Sequence, residues 1–198
     1  MLVFRFFMLI AYELRVTNYE HTNNFYFIFY ISNMELVVNF LAVLVAAVVP
    51  TVVGLLWYSP MLFGTAWRIN SGQSEERLRS TNVAIFLIAS LLLSFFVSVT
   101  LVNNTIHQMG VFGTLANEPK DVMEKVYNDF MATYGDRFRS FGHGALHGTM
   151  LGLFGFLPMF ALITMRERRG AKYLFIHVGF WVVSLAIMGG IICGWKPA

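Results

Sequence analysis

The sequence predicts an all-α fold, an integral membrane bundle of four transmembrane helices with an extra amphipathic helix in the middle extracytoplasmic loop. Four stretches lack Asp, Glu, Lys and Arg, at about residues 36–58, 82–102, 142–165 and 173–195. Each can cross a membrane once, because about 20 apolar residues span the hydrocarbon layer. Composition agrees, since 57% of the residues are hydrophobic and 13% are charged, about half the charged fraction of a soluble chain.

The first 33 residues differ from the four spans. They are rich in Phe, Tyr, Asn and Ile and are interrupted by Arg5, Glu13, Arg15 and Glu20, so they fit neither a signal peptide nor a crossing. Met34 opens an apolar run, and we expect translation to start there, with residues 1–33 a poorly ordered upstream segment. The alternative is an arm lying on the membrane surface. Residues 34–198 then form a single four-span domain.

The basic residues predict the orientation. Two short loops, between spans one and two and between spans three and four, carry seven of the 14 Lys and Arg residues: Arg68, Arg77, Arg79, Arg166, Arg168, Arg169 and Lys172. Short loops rich in Lys and Arg stay in the cytoplasm, so both termini and the middle loop are expected to be extracytoplasmic.

The middle loop contains the predicted amphipathic helix, at about residues 118–134. Pro119 suits a first helical turn, and apolar residues follow at helical spacing: Val122, Met123, Val126, Tyr127, Phe130, Met131 and Tyr134. The helix is expected to lie on the outer membrane face or to cap the bundle. A lid or a docking surface for another protein is the alternative.

Each span carries small residues four positions apart, the pattern that lets transmembrane helices approach closely. The predicted packing residues are Ala46, Gly54, Ser90, Ser94, Ser98, Gly144, Gly148, Gly152, Gly190 and Gly194. They indicate a tightly packed bundle that assembles with itself or with a membrane partner. The serines could instead line a polar path.

Two sets of side chains are candidates for more specific roles. Trp57, Tyr58 and Trp67 cluster at the inner end of span one, where aromatic rings anchor helices at the headgroups; an aromatic-lined binding site is the alternative. His107, His143 and His147 share the outer end of the bundle and could offer three nitrogen ligands to zinc or copper, or hydrogen-bond between helices.

His177 lies inside span four, near its cytoplasmic end, and cannot join the other histidines. It is a possible intramembrane polar site, and a neutral imidazole bonded to a serine or a carbonyl is the plainer interpretation.

The segment WYSPMLFGTAW at residues 57–67 and the run from Gly148 to Trp195, with LPMF, RERRG and MGGIICGW, resemble a bacterial membrane family, domain of unknown function 1761 (DUF1761). The similarity covers about residues 34–195. It implies a four-span protein of a bacterial plasma membrane and no particular reaction.

The function predicted from these observations is that of a non-enzymatic helical unit. The spans contain no carboxylate, and the chain has no GxSxG, P-loop or HExxH motif, so neither a proton pump nor a hydrolase is indicated. A small permease and a metal- or haem-binding membrane enzyme are the alternatives. No cofactor is predicted, and the only expected partners are the lipid bilayer, a second copy or another membrane protein. A net charge of +3 indicates no nucleic acid.

Overall fold

The computed structural model describes residues 38–115 and 117–197. The predictions for residues 1–33 and for a start at Met34 lie outside these described residues. Helices and their connections make up the described part of the chain, which contains no strand. This confirms the predicted all-α class.

Four helical segments are long and apolar enough to cross a membrane, as predicted. The first is α1 (Phe40–Trp57), the second is α4 (Val83–Thr105), the third runs from Phe141 to Arg166, and the fourth is α9 (Ala171–Gly194). Side chains cap three of them. The Asn39 side chain accepts hydrogen bonds from the backbone N–H groups of Leu41 and Ala42. The Asn82 side chain accepts one from the N–H of Ile85, and the Ser140 side chain accepts one from the N–H of His143. These polar residues fix where the helices begin.

The third span is interrupted by a π-helical turn. It consists of α7 (Phe141–Leu151), the turn Gly152–Phe156, and α8 (Leu157–Arg166). Pro158 lacks an N–H and crowds the carbonyl of the preceding turn. The wider turn takes up this misfit, and the N–H of Leu157 bonds to the Gly152 carbonyl five residues back.

The fourth span is the centre of the bundle. It packs against α1, α4, α7 and α8, and half of its most apolar window is buried, against 17–28% for the other three spans. The core joins Val43 and Ala46 of α1, Leu101 and Val102 of α4, and a set of α9 residues: Leu185, Met188 and Ile192.

The closest contact in the bundle joins the third and fourth spans. A Cβ on Gly144 would overlap the carbonyl of Gly189, and a Cβ on Gly148 would overlap that of Leu185. At Gly152 it would meet Val182, 2.8 Å from its Cγ2 atom. Positions rise along one helix as they fall along the other, so the two spans run antiparallel with their backbones in contact.

The two basic loops lie at the same end of the bundle. Between the first two spans, the chain forms α2 (Gly64–Ser71) and α3 (Glu75–Arg79), neither of which was predicted. Gly72 ends α2 with φ +62°, and a Cβ there would overlap the guanidinium of Arg169 from the other loop. The structure contains no membrane, so the cytoplasmic assignment of this end stays a prediction.

Two helices follow the second span. α5 (Gln108–Leu115) was not predicted, and α6 (Lys120–Tyr134) occupies the segment proposed to be amphipathic. Met123 and Tyr127 of α6 are buried, whereas Val122 and Val126 are exposed. Its apolar residues are only partly covered by the chain, and its placement on a membrane surface stays a prediction.

We expect Gly148→Ala to destabilise the bundle by about 1–3 kcal/mol, because the added methyl group forces the third and fourth spans apart. Gly142→Ala is the matched control in the same helix, since a Cβ there meets nothing within 4 Å. Unfolding by SDS from mixed micelles measures both variants. Equal losses for the two would contradict backbone contact at Gly148.

Candidate functional site

Three histidines converge at the end of the bundle opposite the basic loops. His107 follows the second span, and His143 and His147 lie one turn apart in α7. One ring nitrogen from each can be chosen so that all three lie within 4.8 Å of one another. The Nε2 atoms of His107 and His143 are 3.0 Å apart. The structure therefore brings together the three residues that the sequence named as metal-ligand candidates; the metal itself stays a prediction.

The spacing of this histidine cluster is close to that of a metal site. In a tetrahedron with Zn–N bonds of about 2.0–2.1 Å, ligand nitrogens stand about 3.3 Å apart. His107 and His143 are already near this separation, and half-exposed His147 has a ring nitrogen within 4.8 Å of theirs. One of the two Nε2 atoms carries the proton of the 3.0 Å hydrogen bond, and this proton would have to leave that nitrogen for both Nε2 atoms to bind a metal.

Phe138 supports the cluster in an unusual backbone conformation. Its φ is +63°, a left-handed value that is uncommon for a bulky residue and costs free energy. Its ring stacks on His143 with centroids 5.2 Å apart and meets the His107 ring edge-on at 6.2 Å. Its carbonyl accepts a hydrogen bond from the Cys193 thiol.

Arg139 is buried beside the cluster, with 8% of its surface exposed. Its Nε donates to the Cys193 carbonyl at 3.0 Å, near the end of α9, where the negative end of the helix dipole favours a cation. Burial lowers the pKa of Arg139. The Cys193 thiol donates to the Thr105 and Phe138 carbonyls, so this corner joins the ends of the second and fourth spans.

An exposed ion pair closes the same end. Lys196 Nζ lies 2.8 Å from Asp136, and its hydrogen bond and charge lower the pKa of that carboxyl group. The pair is therefore present above the ordinary pKa of Asp and is lost as the pH falls through the lowered value. The Lys196 carbonyl also accepts from the Asn39 side chain, which ties the chain after α9 to the start of α1.

The chain was compared with known proteins. The family described as "protein of unknown function (DUF1761)" matches residues 41–193, which include all four spans and the histidine cluster. The chain belongs to the DUF1761 family. No curated protein and no solved structure matches it.

In this DUF1761 protein, aromatic residues at the end of α1 nearest the basic loops contact the fourth span. Trp57 Nε1 donates to the Ile176 carbonyl at 3.0 Å, and the Tyr58 hydroxyl lies 3.0 Å from His177 Nδ1. Trp67 meets the Tyr58 ring edge-on, with centroids 5.7 Å apart. Besides the predicted headgroup anchoring, which stays a prediction, Trp57 and Tyr58 thus connect two spans.

His177 is bonded to a phenol rather than to the expected serine or carbonyl. A tyrosine hydroxyl is protonated at physiological pH, so Tyr58 can donate to His177 Nδ1. The rings of Phe160 and Tyr173 also pack on the imidazole. Among the described residues, His177 Nε2 has no hydrogen-bond partner.

The small residues predicted to mediate packing lie between the helices of this chain. Ala46, Ser94 and Ser98 are buried, and Ser90 is half-buried. Gly190 and Gly194 face Phe141, and Gly54 is in ordinary contact with Phe180. The buried serines belong to a packed interior here and do not line an open path.

Sequence reasoning missed several residues of the cluster's surroundings: Gln108, Arg137, Phe138 and Arg139. None of them belongs to a motif, and their roles depend on contacts with residues far away in the sequence, so no local signal identified them.

Replacing Tyr58 by Phe removes the hydroxyl that joins α1 to His177. We expect a loss of about 1 kcal/mol in the free energy of unfolding, a usual size for a hydrogen bond between transmembrane helices. Tyr173→Phe, which keeps a ring on the same imidazole, should cost less. SDS titration of both variants tests this, and an equal or larger loss for Tyr173→Phe would count against the Tyr58–His177 bond.

Proposed function

We propose that this protein binds a late first-row transition metal ion, Zn²⁺ in the first place, through His107, His143 and His147. The observation that carries the proposal is the convergence of three imidazole nitrogens within 4.8 Å from two separate segments. Imidazole is a preferred ligand of zinc, copper and nickel. Magnesium and calcium need oxygen ligands, and in the described part of the chain no carboxylate belongs to the cluster.

The coordination number supports a site that exchanges its ion or binds a further ligand. Structural zinc sites use four protein ligands, whereas three protein ligands leave one position for water or a substrate. His107 is exposed and the other two histidines are half-exposed, so an ion can reach them from solvent. We infer a membrane-anchored metal-binding protein whose site is at the membrane surface, and no reaction is assigned to it.

We further propose that the protein resides in the plasma membrane of a bacterium with the histidine cluster on the extracytoplasmic side. The support is the positive-inside rule, applied to two basic loops that meet at Gly72 and Arg169. The cluster lies at the opposite end, beside the residue Lys196 that follows the fourth span. The ion would then be taken from the extracytoplasmic medium.

Assembly with a second copy or another membrane protein stays a prediction from the sequence. The glycine pattern alone suggested such assembly, but Gly144 and Gly148 support it less in the structure, because both are in contact with α9 of the same chain. A permease likewise loses support from Ser94 and Ser98, which are 4% and 0% exposed. The histidine cluster therefore carries the proposal.

We expect the purified protein to bind one Zn²⁺. Each of the variants His107→Gln, His143→Gln and His147→Gln should lower the affinity for Zn²⁺ by more than about 100-fold. Loss of a residue that only orients a ligand costs up to about 100-fold, and loss of a ligand itself should cost more. Competition with a chelator of known affinity measures this. His177→Gln is the control and should bind as the wild type does. Unchanged affinity in all three cluster variants would refute the site.

Orientation is tested with single cysteines at exposed positions of opposite ends. A membrane-impermeant maleimide added to intact cells should label Asn117→Cys and leave Gly170→Cys unlabelled, and the result should reverse in inverted vesicles. The wild type is the control, because its Cys193 is buried. Labelling of Gly170→Cys in intact cells would place the basic loops outside.

A further inference from the structure

The end of the bundle opposite the histidine cluster carries an excess of positive charge. The seven Lys and Arg residues of the two basic loops stand against three acidic residues, Glu75, Glu76 and Glu167, a net charge of +4. In the described part of the chain, the end with the histidines balances five basic residues against five acidic ones. The chain therefore leaves the charge of one end alone uncompensated, and this end favours an anion from outside.

The third span ends with an arginine beside exposed apolar side chains. Leu162, Met165 and Arg166 of α8 are three and four positions apart, so they lie on one side of the helix. Leu162 and Met165 are 68% and 73% exposed, and Arg166 is exposed as well. Thr164, on the other side, is buried. Apolar side chains followed by a guanidinium where the span ends match the order of acyl chain and headgroup in a lipid.

Two further arginines follow this helix. Arg168 has φ +53°, a left-handed value at a helix end where glycine is the usual residue. The Arg169 guanidinium is held against Gly72 of the other basic loop and lies 5.9 Å from the Tyr173 ring centroid. Its Nε hydrogen-bonds to no described residue, and the carboxylate of Glu167 is 3.9 Å away, too far for a hydrogen bond. The chain thus holds Arg169 in place but neutralises it only weakly.

The other basic loop adds exposed apolar side chains at the same end. The Phe63 ring packs against Trp57 with centroids 4.5 Å apart, so the chain returns to the end of α1 before α2 begins. Met61 and Ile69, on either side of this contact, are 90% and 77% exposed. Exposed apolar residues beside basic ones are typical of a segment that lies in the membrane interface. They favour a lipid over a soluble anion.

We propose that this end of the protein binds an anionic phospholipid. Its phosphate pairs with Arg166, Arg168 and Arg169, and one acyl chain lies along Leu162 and Met165. The support is charge complementarity, since anionic lipids attract basic residues close to a membrane surface. A zwitterionic lipid would leave the positive charge uncompensated, and free phosphate would leave the apolar side chains uncovered. The inference is independent of the metal proposal, whose residues lie at the other end.

The experiment titrates the full chain, purified in mild detergent and freed of lipid, with phosphatidylglycerol, and native mass spectrometry measures the bound lipid. Phosphatidylcholine with the same acyl chains lacks the net charge, and glycerol phosphate lacks the acyl chains. We expect phosphatidylglycerol to bind at least about tenfold more tightly than either, because each basic residue near lipid charge contributes about fivefold. The double variant Arg166→Gln with Arg168→Gln should then bind phosphatidylglycerol about 25-fold more weakly.

Two matched variants show whether these arginines act through their position and charge. Arg77→Gln with Arg79→Gln removes the same charge from α3 at the same end and should bind phosphatidylglycerol as the wild type does. Arg166→Lys with Arg168→Lys keeps both charges and should retain most of the affinity, which separates lost charge from lost folding.

Four results would overturn the proposal. Equal affinity for phosphatidylglycerol and phosphatidylcholine would show that the charge of the lipid is not recognised. Glycerol phosphate bound as tightly as phosphatidylglycerol would make the occupant a soluble phosphate. Wild-type affinity in the variant with Gln at positions 166 and 168 would remove the role of these arginines. An equal loss in the α3 variant would mean that overall charge, and not this site, attracts the lipid.

Discussion

The backbone contact between the third and fourth spans determines where most other groups in the described bundle lie. Lipid chains are as apolar as leucine side chains, so burying leucine does not drive transmembrane helices together, and close packing must do so. Gly144 and Gly148 provide it by bringing α7 against the carbonyls of Gly189 and Leu185. Because a residue with a Cβ would overlap those carbonyls, the register between the two helices is fixed to within a turn.

That register positions the polar groups at the end of the bundle near Lys196. It brings the start of α7 beside the end of α9, so that Arg139 reaches the Cys193 carbonyl. The Cys193 thiol in turn reaches Thr105 in the second span, and His107 follows two residues later. The histidines of α7 and His107 thus meet because three spans end together at one corner. At the other end, Trp57 and Tyr58 bond to Ile176 and His177, which joins the first and fourth spans there.

The features that could be predicted from the sequence are those that depend on composition and on the short-range spacing of residue types. Stretches free of charged residues located the four spans, with bounds that differ from those observed by at most four residues. Contacts between distant segments could not be predicted from the sequence. Gly189, the partner of Gly144, lies outside the predicted stripe of Gly190 and Gly194. Nothing in the sequence around Arg139 reveals the Cys193 carbonyl, 54 residues away, that accepts its hydrogen bond.

If the histidine cluster binds the proposed metal, its ligand set gives a physical basis for selectivity. The three imidazoles are neutral nitrogen ligands, so they would bind a hard ion such as Mg²⁺ only weakly. Mg²⁺ binds mainly through charged oxygens and gives up its water reluctantly. An ion that prefers nitrogen ligands would bind favourably to all three imidazoles. Because the Nε2 atoms of His107 and His143 are 3.0 Å apart, two of the three proposed ligands already stand near the separation that a tetrahedral zinc site requires. This proximity would lower the conformational cost of binding the ion.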